Sequence, residues 1–104
     1  MAVSTPDLET QEKTRDDQQT QEPPLYRVLL HNDDYTTMAF VIEILMGVFK
    51  RNLADATRIM MNVHHKGIGV CGTYPYEIAE TKVDTVEMLA RNSGYPLKCS
   101  MEKV

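Results

Sequence analysis

A chain of 104 residues has room for one domain around one core, and its 42% apolar and 25% charged residues are those of a globular protein, not a low-complexity or fibrous one. No apolar run approaches the length of a membrane-spanning helix, and the formal charge of −4 resides wholly in residues 1–24, where six acids outnumber two bases. Residues 25–104 carry nine acids and nine bases without a basic stripe, which argues against nucleic acid as a partner.

Residues 1–24 are rich in Thr, Gln, Asp and Glu and close on Glu22-Pro23-Pro24, the composition of a disordered acidic extension ahead of a domain at 25–104. This start has neither a secretory h-region nor the Arg-rich, acid-poor character of a transit peptide, so a bacterial cytoplasmic protein is expected. Leu25–His31 reads as a central strand with β-formers on both faces, ended by the turn formers Asn32, Asp33 and Asp34. Thr36 or Thr37 caps a helix that starts near Met38, and the stripe Met38, Val41, Ile42, Leu45 and Phe49 has helical spacing. Phe40, Ile44 and Val48 make the opposite side apolar too, so this helix is buried on more than one face or lends a face to a ligand or partner.

A second helix is capped by Asn52 and stopped by Gly67, with Leu53, Ala56, Met60 and Val63 facing inward and His64 at the margin of that stripe. Ile68–Tyr74 follows as a short strand in which Gly69 and Gly72 signal a bulge or a close backbone approach. Pro75 is placed at the first position of a third helix that stops at Gly94; Glu77, Glu80, Lys82, Asp84, Glu87 and Arg91 form its exposed face. The alternation of Leu97, Cys99 and Met101 with Lys98, Ser100 and Glu102 predicts a half-buried last strand. The order βααβαβ implies an α+β fold: a three-stranded, mostly antiparallel sheet packed with three helices, similar to the C-terminal domain of the ribosomal stalk protein. Cys71 and Cys99 are far apart, form no CxxC pair and are expected to be buried free thiols.

His31-Asn32-Asp33-Asp34-Tyr35-Thr36-Thr37-Met38 sets clustered acceptors between a hydrophobic strand and a hydrophobic helix. With a nearby imidazole they suit a small cation that carries several donors, such as the ammonium of a peptide N-terminus. Taken alone, Asp33 and Asp34 are more often turn formers, and His64 a helix-end imidazole. No zinc-ligand spacing is present and no Ser or Cys lies in a nucleophile-like setting, so a binding protein without catalytic activity, metal or cofactor is expected.

Leu25–Val104 resembles the ClpS family of protease adaptors, the N-end rule recognition components of the ClpAP protease. The resemblance rests on Asn32-Asp33-Asp34-Tyr35-Thr36, Val63-His64, Cys71-Gly72, Ala79-Glu80-Thr81-Lys82-Val83 and Pro96-Leu97, several blocks in one order. It implies that Asn32, Asp33, Asp34 and His64 hold the α-amino group of a protein's N-terminal residue. It further implies that Thr36, Met38, Val41, Met60, Val63 and Leu97 form a pocket for its side chain, Leu, Phe, Tyr or Trp. Glu77 and Lys82 match the surface by which such adaptors dock on the N-terminal domain of the ClpA unfoldase, while the flexible extension engages the unfoldase. Thr37 stands where the family commonly has Pro and Ala39 where it commonly has an acid; both flank Met38. A monomer is expected, and the competing reading is a docking domain of the ribosomal stalk type without an amine site.

Overall fold

The computed structural model describes residues 22–104, so the extension predicted over 1–24 lies, apart from its last three residues, outside the described residues. The chain order is β1 (Leu25–His31), α1 (Met38–Gly47), α2 (Leu53–Lys66), β2 (Ile68–Pro75), α3 (Tyr76–Asn92) and β3 (Lys98–Lys103). Both strand pairings are antiparallel, with β1 between β2 and β3. The predicted architecture is thus the observed one.

Val28 and Leu30 of β1 are fully buried and join Cys71, Cys99 and residues of all three helices in one core. Ile68, Val70, Lys98 and Glu102, at alternate strand positions, are exposed, so the helices cover one face of the sheet. Each fully buried Leu or Val contributes about 1.5–3 kcal/mol. The register slips between Val28 and Leu29, because Val28 pairs with Gly72 and Leu29 with Val70, leaving Cys71 as the extra residue of a bulge.

Gly69 marks the close approach. A Cβ at this position would lie 2.7 Å from Val63 Cγ2 and 3.2 Å from the Ile59 carbonyl oxygen, so α2 has no room to seat on β2 unless residue 69 lacks a side chain. Gly69→Ala is expected to destabilise the domain by about 1–3 kcal/mol, read as a lower midpoint in urea, because a backbone atom and a packed valine both have to yield.

The helix ends follow local chemistry. Thr37 Oγ1 accepts from the Phe40 amide at 3.1 Å, which settles the choice between Thr36 and Thr37, and Asn52 Oδ1 accepts from the Asp55 amide at 2.8 Å. Gly67, at φ 86°, closes α2 in the left-handed conformation. Pro75 is a correction: it precedes α3 instead of opening it, because pairing with Leu25 keeps it extended at ψ 157° and the helix starts at Tyr76. Lys82 is a second one. Predicted on a solvated face, it reaches across to donate from Nζ to the Val48 carbonyl at 2.8 Å and so caps the C-terminus of α1.

Cys71 and Cys99 are both buried and unbonded. They flank β1 on its two sides, about two strand spacings apart and beyond disulfide reach. Burial pushes both thiols up, Cys99 to about 12.

Candidate functional site

The site lies where β1 stops. Asn32 leaves the strand and donates its backbone N–H to the Gly67 carbonyl at 2.9 Å, which ties the start of the 32–37 loop to the end of α2. That tie brings the last turns of α2 beside the loop and the first turn of α1. Between them is a cavity of about 250 Å³. Asn32, Asp33, Asp34, Thr36 and His64 supply its polar lining, and Met38, Val41, Met60 and Val63 its apolar wall.

The two aspartates differ. Asp33 Oδ1 accepts from the Tyr35 and Thr36 amides at 2.8 and 2.7 Å, and Asp33 Oδ2 accepts from the Thr36 hydroxyl at 2.7 Å. Partial burial opposes ionisation of this carboxyl, but the hydrogen bonds from Thr36 and Tyr35 outweigh it and hold it below the usual aspartate value. Asp33 therefore builds the loop. Asp34 is exposed, and no group among the described residues donates to its carboxylate; the side chains of Asn32 and His64 are likewise without a hydrogen-bond partner there. The cavity thus combines three unengaged polar side chains with an apolar wall.

Ten residues were named for this pocket from the sequence, and nine line one cavity; Leu97 does not. It is buried within the core, one position ahead of β3, whose first residue Lys98 pairs with His31. Leu97 instead borders a separate hollow of about 280 Å³ with Arg91 and Tyr95. His65 turns away from the lining, although its ring stacks edge-on against that of His64 at 5.1 Å between centroids. Among the described residues no three His, Cys, Asp or Glu side chains converge as metal ligands. No helix there is long and apolar enough to cross a membrane.

Glu77 and Lys82 stand together elsewhere. Both line a larger groove of about 960 Å³ between α1 and α3, whose apolar surface comes from Phe40, Ile44, Val48, Ile78 and Leu89. Sequence reasoning did not locate this groove as a cavity. The signal was present in α1, apolar on both sides, because the face that carries Phe40, Ile44 and Val48 is the one that opens onto it.

Comparison with known proteins agrees with this picture. Residues 21–100 match the model of the family described as ATP-dependent Clp protease adaptor protein ClpS. The ClpS adapter proteins of Desulfatibacillum aliphaticivorans and Desulforapulum autotrophicum are 55% and 50% identical to the chain over 89 and 103 residues. The first alignment covers 86% of each chain and the second 99% of each. Among solved structures, Agrobacterium tumefaciens ClpS2 bound to L-phenylalaninamide superposes with a TM-score of 0.77 at 37% identity, covering 80% of this chain and 100% of that one.

Proposed function

Because this chain belongs to the ClpS family of ATP-dependent Clp protease adaptors, we propose that its small cavity holds the N-terminal residue of a protein destined for degradation. The observation that carries the reading is the set of three unengaged polar side chains, Asn32, Asp34 and His64, in one cavity with the apolar wall of Met38, Val41, Met60 and Val63. A peptide α-ammonium offers three N–H donors and one charge. The Asn32 side-chain carbonyl oxygen, the Asp34 carboxylate and a His64 ring nitrogen supply three acceptors, and Asp33 adds charge while it shapes the loop.

Selectivity follows from the same groups. An internal amide brings one donor and no charge, and each buried acceptor left unpaired costs about 1–3 kcal/mol. Burial of a Leu or Phe side chain against Met38, Val41, Met60 and Val63 contributes about 1.5–3 kcal/mol, so amine and side chain together give useful affinity and neither does alone. Leu, Phe, Tyr and Trp are the side chains proposed. The amide held by the Agrobacterium relative, with its free amine and benzyl group, has this chemistry.

Delivery belongs to the second surface. The groove that carries Glu77 and Lys82 is the proposed docking face for the N-terminal domain of the ClpA unfoldase in the bacterial cytoplasm, with the acidic extension engaging the same machine. Fluorescence anisotropy with a peptide that begins with Leu and with its N-acetylated twin tests the amine site. Binding of the free peptide and a loss of at least about 100-fold on acetylation are expected, since two or more acceptors lose their partners. Equal affinity for the two peptides, or none for either, would leave the docking domain of the ribosomal stalk type as the better description.

A further inference from the structure

Two methionine thioethers line the small cavity, and solvent reaches them very unequally. Met60 is 7% exposed within the core, whereas Met38, the first residue of α1, is 46% exposed on the same wall. An accessible thioether is the side chain that peroxides attack first among groups of this kind, and shielding by a core slows the attack. Among the described residues the other strongly exposed methionines, Met46, Met61 and Met88, fall outside the cavity lining. Both cysteines are buried and held as thiols by that burial, so they offer little competing thiolate.

The geometry points to Met38 as an oxidation site through which a peroxide turns off side-chain recognition in this pocket. The inference rests on the reading of the cavity as the seat of an N-terminal residue. One peroxide oxygen is transferred to the Met38 sulfur: the O–O bond breaks, an S–O bond forms, the sulfur gives up two electrons and the peroxide leaves as water or an alcohol. The product is a strongly polar sulfoxide in place of a polarisable apolar atom.

Its effect on binding follows from the lining. An incoming Leu or Phe side chain would pack against the sulfoxide oxygen and strip its water. The hydroxyl of Thr36 is already donated to Asp33, so the nearest lining hydroxyl on the loop is committed elsewhere. The rim that takes the amine is untouched. Oxidation is therefore expected to weaken all large apolar N-terminal residues together, by about tenfold, while preference for a free amine over an acetylated one persists.

The test treats the full chain with hydrogen peroxide, locates sulfoxides by peptide mass mapping and measures binding of the free and acetylated Leu peptides before and after. The expected result is a loss of affinity that rises in step with sulfoxide at Met38, returns on treatment with methionine sulfoxide reductases, and is kept by the triple variant M46L/M61L/M88L. In Met38→Leu, whatever its starting affinity, peroxide is expected to change nothing. Full sulfoxide at Met38 with unchanged affinity overturns the inference but not the pocket. So does oxidation of Met60 ahead of Met38, or an equal peroxide effect in Met38→Leu. Failure of the untreated protein to tell the free peptide from its acetylated twin overturns the pocket reading first, and the inference with it.

Discussion

Asp34→Ala is expected to weaken binding of a Leu-initiated peptide by about 10- to 100-fold and leave the melting midpoint where it is, because it removes one charged acceptor that no group among the described residues engages. Asp33→Ala, one residue away, is expected to behave differently. It removes the three hydrogen bonds that hold the Tyr35 and Thr36 amides and the Thr36 hydroxyl, and the midpoint should fall by roughly 5 °C along with the affinity. Thermal melts monitored by circular dichroism, paired with anisotropy on the same samples, separate the two. Matching losses of stability in both variants would mean that Asp34 also builds the loop. The lowered pKa of Asp33 gives this contribution a pH window: it is present above the ordinary aspartate value of 3.8 and fades as pH falls through the lower folded-state value.

Alkali should unfold the domain through its thiols. Burial raises the pKa of both cysteines from 9.0, Cys99 to about 12, so above pH 9 the unfolded chain gains favourable thiolates that the folded chain does not. The sign is fixed by the raised folded-state values: stability is complete below pH 9 and is lost as pH climbs towards 12. At pH 10 each thiol costs about 1.4 kcal/mol, together about 3 kcal/mol, a large share of the stability of a domain this size. Urea unfolding at pH 7.5 and pH 10 measures it. The double variant Cys71→Ala, Cys99→Ala should start less stable and show a clearly smaller drop between the two pH values. A midpoint in the native chain that does not move would show that the strands open enough to hydrate the sulfurs.

Much of this molecule is written in local signals. Asn52 and Gly67 announce the two ends of α2 because capping chemistry involves neighbours in sequence, and the apolar stripes place Val41, Met60 and Val63 on inward faces before any packing is known. What escaped depends on long-range partners. Pro75 is drawn into the strand by Leu25, and Lys82 is drawn off its solvated face by the open C-terminus of α1. The unequal roles of Asp33 and Asp34 were equally unreadable. The residues predict two carboxylates at a turn, and only the folded loop shows which of them the amides engage.

The bond from the Asn32 amide to the Gly67 carbonyl carries a further implication. Asn32 and His64 come from distant parts of the chain, yet the link that keeps them abreast is made wholly of main-chain atoms, at a glycine whose left-handed turn few residues accept. On the proposed function, substitutions at Asn32, Asp34 or His64 therefore change what is gripped without unbuckling the jaws. On the proposed function, mutational drift can retune Asn32, Asp34 and His64 one position at a time, and engineers can swap these three on an unaltered chassis.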